Sequence, residues 1–427
     1  MCYSHDNICC SLFNNYCVID MNRLKNIIII NDWACRDGGA AAVALNTAVE
    51  LSKKFNVSLF CAVGPIDNNV KKSKVHVHFL NKQDILHDTN RLRAIINGLW
   101  HKKSAVELER LLENFSNEDT IVHVHTWTKA LSSSIFRSIA KSNLHLVITL
   151  HDYFCFCPNG GFYNYQKSEI CNKKPLSLSC ICTNCDVRSY PQKIWRLLRQ
   201  KIQNHEIWNN QNLHFISISN FTDKICVPLI PSNAKVYKLY DPVELSLHKR
   251  VVIENNTNYI CMARLSPEKG VNLFCKAITD LGFNGIVMGD GEQLDDLKKK
   301  YPKINFVGWV NSCDKEKYFS QSKAFVFPSL WYETFGLTVA EAKSYGIPCI
   351  VPNNCAASEQ VADGKTGYIF KTGDLDSLKA AIMKYEQTNL KQMQENLLNS
   401  FHPEDLSMET HLKKLIAIYN DILSNEK

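Results

Sequence analysis

The chain has no long apolar run. Its longest run of branched aliphatic side chains is Ile27-Ile28-Ile29-Ile30, and counting alanine the longest is the six residues Ala40–Leu45, whereas a helix that crosses a bilayer needs roughly 20 apolar residues. The expectation is a soluble or peripheral protein. Residues 1–20 lack the basic start and apolar centre of a signal peptide and read as a tail upstream of a better start at Met21. Charge of one sign is scarce as well: 49 Lys and Arg stand against 42 Asp and Glu, a net +7. That balance permits attraction to anionic membrane surfaces or nucleotide ligands, and does not by itself indicate nucleic-acid binding. The dinucleotide fingerprint G-x-G-x-x-G is absent, and no internal repeat or low-complexity tract interrupts the chain. Cysteine, in contrast, is plentiful at 18 residues. Cys61, Cys226, Cys261, Cys275 and Cys349 sit inside strand-like or helical segments as small hydrophobes, which points to a reducing cytoplasm and not to a disulfide framework.

With 427 residues the chain has length for two domains with a core each. From Asn26 onward apolar strands alternate with helices: Ile27–Ile30, a helix over about 40–54, Val57–Val63, Val75–Phe79, Ile121–Val124, Leu146–Leu150 and Leu213–Ser217. A second run covers Tyr259–Ala263, Gly285–Met288, Asn305–Val307, Ala324–Phe327 and Cys349–Val351. This βαβ alternation predicts parallel sheets covered on both faces. The predicted division is a tail over 1–21, a first α/β domain over 22–240, a second over 241–405, and a terminal helix over 406–427 that packs back on the body. A cysteine-rich stretch at 153–191 reads as an insertion into the first domain, and 239–251, with Pro242, as the hinge.

The most informative segment is Glu333-Thr-Phe335-Gly336-Leu337-Thr-Val-Ala-Glu341, behind the strand-like Ala324–Phe327. It reads as strand, glycine turn and helix start. The backbone N–H groups freed at that start, around Phe335, Gly336 and Leu337, would face a ligand together with Glu333, and such a terminus favours a phosphate. Glu341, about one turn deeper, could accept from ribose hydroxyls. Upstream, Arg264 and Lys269 flank a Ser-Pro turn after the first strand of the second half. Gly289, in Gly289-Asp290-Gly291-Glu292, follows the next strand, with Gly308-Trp309-Val310 beyond it; a simple strand-to-helix turn would also account for them. In the first half, Gly38 and Gly39 open a helix where backbone can approach a ligand closely. His151 and Asp152 follow strand Leu146–Leu150 at the carboxyl end, where open α/β sheets bind ligands. His123 reads as structural, His125 as the better candidate of the two, and Ser219 as an N-cap.

Together these segments resemble the E-x7-E signature and the arginine–lysine pair of retaining glycosyltransferases of the GT-B fold, in particular family 4. Ala263 stands where that family often has glycine. The resemblance implies two Rossmann-like domains facing each other across a cleft. It also implies a hexosyltransferase that moves a sugar from a nucleotide donor, UDP- or GDP-linked, to a glycan or lipid-linked acceptor, in bacterial surface polysaccharide assembly at the inner face of the cytoplasmic membrane. On this reading Arg264 and Lys269 hold the donor diphosphate. Glu333 and His151 serve the reacting sugar, Glu341 the ribose, and Gly38 and Gly39 lie near the donor phosphates. Because the family lacks a clear carboxylate nucleophile, a front-face route is implied in which Glu333 binds sugar hydroxyls.

No cofactor is required for catalysis. A metal-dependent GT-A enzyme would need a functional Asp-x-Asp, and Asp374-Leu-Asp376 opens a helix, so capping explains it. Cys157, Cys171, Cys180 and Cys185 are the preferred ligand set for a structural zinc, with Cys182 an alternative to Cys180 and free thiols the plain alternative. Lys193, Arg196, Arg199 and Lys201 alternate with Ile194, Trp195, Leu197, Leu198 and Ile202, as in a basic amphipathic helix. Such a helix would cover the core or dock on an anionic membrane. Other readings of the chain are a zinc- or redox-responsive GT-B scaffold without catalysis, and a GT-B phosphorylase or epimerase.

Overall fold

The computed structural model of the protein describes residues 23–424 except 244 and 246–249; the expected tail over 1–21 and part of the expected hinge lie outside them. The first lobe holds β1 (Asn26–Trp33), β2 (Asn56–Val63), β3 (His76–Phe79), β4 (Thr120–Val124) and β5 (His145–Thr149), then a small hairpin of β6 (Tyr163–Asn164) and β7 (Glu169–Ile170), then β8 (Leu213–Ser217) and β9 (Lys235–Lys238). The second holds β10 (Asn258–Met262), β11 (Asn284–Met288), β12 (Asn305–Gly308), β13 (Ser322–Val326), β14 (Cys349–Pro352) and β15 (Gly367–Phe370). The main strands form a seven-stranded sheet, β3-β2-β1-β4-β5-β8-β9, and a six-stranded sheet, β12-β11-β10-β13-β14-β15. Every pair within these two sheets is parallel.

The pleat explains why these strands are apolar throughout. In β1, Ile28 and Ile30 enter one core while Ile27 and Ile29 enter the other; a parallel strand covered on both faces carries no polar side. In β10, Tyr259 and Cys261 face one core and Ile260 the other. The two edge strands β9 and β15 extend the expected series. Both are four residues long, and Lys-Val-Tyr-Lys and Gly-Tyr-Ile-Phe carry too short a pattern to stand out.

The terminal helix Met408–Ser424 buries Leu415, Tyr419, Ile422 and Leu423 in the core of the first lobe. It thereby returns the chain to the sheet on which it began, and Arg23 Nη1 donates to Leu423 O at 3.1 Å. Between β5 and the helix Tyr190–Trp208, the cysteine-rich stretch contains only the β6–β7 hairpin and one helical turn, Leu178–Ile181. Among the described residues no helix is long and apolar enough to cross a membrane.

Candidate active site at the interlobe cleft

Each sheet reverses its strand order once, between β1 and β4 in the first and between β10 and β13 in the second. Such switch points open a crevice at the carboxyl ends of the strands. In the second lobe the loops after β10 and β13 meet there. Leu330 N–H donates to Glu268 O at 2.8 Å. Gly270 has φ +67°, and a Cβ added to it would lie 2.1 Å from Pro328 O; the two loops approach this closely only because the residue is glycine.

Lys269 Nζ lies 2.5 Å from Glu333 Oε1 and 4.8 Å from the centre of the Trp331 ring. Ser329 Oγ donates to the same Oε1 at 3.2 Å. Gly336, at φ +91°, caps the helix Leu337–Ser344 just beyond Glu333, so the E-x7-E segment is a turn followed by a helix start. Glu341, inside that helix, accepts from Lys315 Nζ at 2.5 Å. Lys315, in a helix of mixed charge, has no local sequence signal, and its partnership with Glu341 exists only in the fold. Arg264 pairs with Glu268 Oε1 at 3.0 Å, an oxygen that also accepts from Ser266 Oγ at 2.7 Å. Of the cations and carboxylates picked from sequence, Lys269 and Glu333 thus pair with each other, whereas Arg264 and Glu341 take Glu268 and Lys315 as partners.

Across the cleft, Gly38, at φ +93°, caps the helix Gly39–Leu51. A Cβ added to Gly39 would lie 3.0 Å from Leu337 Cδ1, so the helix starts of opposite lobes abut. Asp32, Gly39, Asp152, Arg264, Gly291 and Trp331 line one cavity of about 570 Å³. Gly289 braces the site without lining this cavity: at φ +143°, an added Cβ would meet Ala263 O at 1.9 Å. Its neighbours Gly291 and Glu292 reach the cavity wall. Asp32 is an addition to the residues picked from sequence. Its carboxylate accepts from the N–H groups of Lys129, Ala130 and Leu131 at 2.8–2.9 Å. Burial raises its pKa to about 6 against the pull of those donors. A carboxylate ending an otherwise apolar buried strand is the signal that would have found it.

His151 is buried with both ring nitrogens on protein partners: Nδ1 lies 3.1 Å from Asp241 Oδ2 and Nε2 lies 2.8 Å from His125 Nδ1. Burial pushes its pKa down, but the charge and hydrogen bond of Asp241, with Asp152 behind, outweigh burial and raise it. His123 and His125 are held well below the ordinary histidine range, first by burial and then by neighbouring histidines. Toward the Asp241 carboxylate, which can only accept when ionised, His151 Nδ1 is the donor. His123 spans Tyr419 Oη and Thr149 Oγ1, each at 2.6 Å. Ser219 caps the helix Asn220–Cys226 by accepting from Thr222 N–H.

In the cysteine-rich stretch a lysine stands among the thiols. Lys193 is fully buried, with Nζ 3.1 Å from Cys185 Sγ and 3.5 Å from Cys180 Sγ, while Cys157 Sγ contacts Asn159 Oδ1 at 3.0 Å. Cys171 is partly exposed. The thiols are the right donor type for zinc, yet the ammonium faces them, and among the described residues no group of three or more His, Cys, Asp or Glu is set to hold a metal ion. Three of the four cations of the basic helix are also turned inward, while Lys201 is exposed. Arg196 pairs with Asp186 at 2.7 Å, and buried Arg199 donates to the carbonyls of Thr128 and Pro158. Ile194 and Leu198 face outward instead.

Residues 245–399 match the family described as glycosyl transferases group 1. The match, to 155 of the 427 residues, is to a glycosyltransferase domain in the second lobe of a GT-B fold. That domain contains Arg264, Lys269, Glu333 and Glu341, and it places the chain in the glycosyltransferase class. An uncharacterized 41.2 kDa protein in the cps region of Klebsiella pneumoniae is 26% identical over 270 residues, covering 58% of this chain and 72% of that one. A UDP-Gal:alpha-D-GlcNAc-diphosphoundecaprenol alpha-1,3-galactosyltransferase of Escherichia coli is 25% identical over 228 residues, covering 48% of this chain and 57%, less than two thirds, of that one. The crystal structure of Anabaena Alr3699/HepE in complex with UDP aligns with a TM-score of 0.63 at 15% identity, over 93% of this chain and 100% of the other. At that identity the likeness speaks for the fold alone.

Proposed function

We propose that the protein transfers a sugar, with retention of anomeric configuration, from a UDP- or GDP-sugar to a glycan or lipid-linked acceptor in bacterial surface polysaccharide assembly. The observation that carries this reading is the Lys269–Glu333 pair at the switch point of the second sheet, beside Trp331, which with Arg264 and Gly39 of the first lobe lines the interlobe cavity. Breaking the anomeric bond places charge on a leaving diphosphate, and preorganised cations at that charge are usually the largest catalytic contribution. Arg264 and Lys269 supply them. The diphosphate takes over the ammonium that Glu333 now holds, and Glu333 turns to the sugar hydroxyls. A front-face route, in which the leaving phosphate assists deprotonation of the acceptor, needs no carboxylate nucleophile. His151, with both ring nitrogens engaged by Asp241 and His125, acts in this scheme as a fixed support behind Asp152. The cps and diphosphoundecaprenol names of the two relatives support the pathway and the lipid-linked acceptor. The inner face of the cytoplasmic membrane is where such an acceptor and a nucleotide sugar meet.

The test is a panel of UDP-, GDP-, ADP- and dTDP-sugars, read by thermal stabilisation and nucleotide release, with Arg264→Ala as control and NMR of the product's anomeric proton. One donor that stabilises and turns over, loses both effects in the control, and yields the donor's own anomer is the expected result. An inverted product removes retention from the reading, and silence across the panel removes the transferase.

A further inference from the structure

Eight of the fifteen large apolar side chains exposed among the described residues lie in 86–96 and 187–198, two segments whose helices pack against each other. On the helix Arg91–Leu99, Leu92 is 74% and Ile96 63% exposed; on the helix Tyr190–Trp208, Ile194 is 44% and Leu198 49% exposed. The two helices are built to stay together. Trp195 Nε1 donates to Ile95 O at 3.1 Å, and a Cβ added to Gly98 would come within 2.6 Å of the Trp195 ring. A groove of about 310 Å³ runs between them, with Leu86, Ile95, Phe154 and Trp195 on its wall, and its charged lining residues are all cationic, Lys129, Arg188, Arg196 and Arg199 among them. Leu86, Lys129, Phe154, Arg188 and Arg196 also line the interlobe cavity, so groove and cleft are continuous.

We propose that this surface takes the membrane-borne end of the acceptor: a lipid diphosphate whose chain lies along the groove, whose phosphates meet the cations at its junction with the cleft, and whose sugar enters the cleft. The inference rests on the transferase reading and narrows its acceptor to a lipid diphosphate. Two features on the surface fix the occupant. An exposed apolar ridge of this extent is uncommon on a protein surface without a partner, and a ridge with a wholly cationic groove complements an anionic amphiphile. The continuity with the cleft then gives the polar end of that amphiphile a place to react. The helix meets the membrane through its apolar face, with Lys193 and Arg199 turned inward.

The experiment compares the full-length chain with Leu92→Ser/Ile96→Ser and Ile194→Ser/Leu198→Ser, none of which lines the interlobe cavity. Flotation with phosphatidylglycerol–phosphatidylcholine vesicles reads the surface. KM for one sugar diphosphate carried on a long polyprenyl chain or on a short water-soluble chain reads the groove, and nucleotide release without acceptor reads the transferase. The expected result is lost flotation and a rise of about tenfold or more in KM for the long chain only, with nucleotide release and thermal stability unchanged. Unchanged flotation and equal use of both chains by the variants would overturn the proposal. Absence of nucleotide release from the unaltered chain strikes the transferase reading instead, and flotation then decides the surface by itself.

Discussion

Lys269 and Glu333 are both largely buried and 2.5 Å apart, so neither can be removed without leaving the other's charge uncompensated. The neighbouring glycine is under equal constraint. Gly270→Ala puts a methyl against Pro328 O at a left-handed φ, and a loss of about 2 kcal/mol or more in urea unfolding is expected. His151 gives a pH prediction. Its folded pKa is raised by Asp241 and Asp152, so the stabilisation it brings is full below the ordinary histidine value and is lost as pH rises through the folded value. Asp241→Asn removes the main source of the rise. The His151 ring resonance, followed by NMR, should then titrate at lower pH than in the unaltered chain; an unchanged titration would mean that Asp241 does not hold the proton there. At this scale the sequence showed residue types and spacing, which was enough to pick out Arg264, Lys269 and Glu333 as candidates. It did not show pairing. Lys315 with Glu341, Asp241 with His151 and Lys193 with Cys185 each join residues separated by other elements or loops, and only the fold brings them together.

Among the elements, the terminal helix ties the chain's end to its beginning. Tyr419 places its ring in the core of the first lobe and its hydroxyl on His123. Leu415→Ala should cost about 2–5 kcal/mol, as a cavity in a packed core does. Tyr419→Phe should cost about 1–3 kcal/mol, since buried His123 Nδ1 loses its partner. Denaturation curves check both, and small losses would show that the helix is not part of the folded core. The apolar helical spacing of this element was plain in the sequence, as were the central strands, because a strand buried on both faces has no polar residues to blur it. The helix Tyr190–Trp208 shows where such reading stops. Its alternation of cations and apolar residues suggested a basic outer face, but Asp186, the carbonyls of Thr128 and Pro158, and the thiols of Cys180 and Cys185 draw three of the four cations inward. Periodicity identifies the faces of a helix; its neighbours decide which one is buried.

For the whole molecule, the two lobes meet through polar contacts around the site and through Tyr332, whose ring packs into the core of the first lobe. Thr334 Oγ1 donates to His151 O at 2.9 Å, Thr222 Oγ1 donates to Thr334 O at 3.2 Å, and Asn220 N–H donates to Glu359 Oε2 at 3.1 Å. Thr334 is the residue after Glu333, so the position of the Glu333 carboxylate is linked to the approach of the lobes. The duplicated α/β pattern made the two-lobed architecture legible in advance. The meeting of Gly39 with Leu337 was not, since it depends on how the lobes face each other. The central claim is that the cations at the second switch point take up the charge of a leaving diphosphate. Its most direct test is the steady-state rate of nucleotide release from the cognate nucleotide sugar in Lys269→Met beside the unaltered chain, with folding of the variant verified by circular dichroism. A fall of about 10²–10³ in kcat with the fold intact is predicted. A kcat within a few-fold of the unaltered enzyme would contradict the account and leave Lys269 as a structural partner of Glu333.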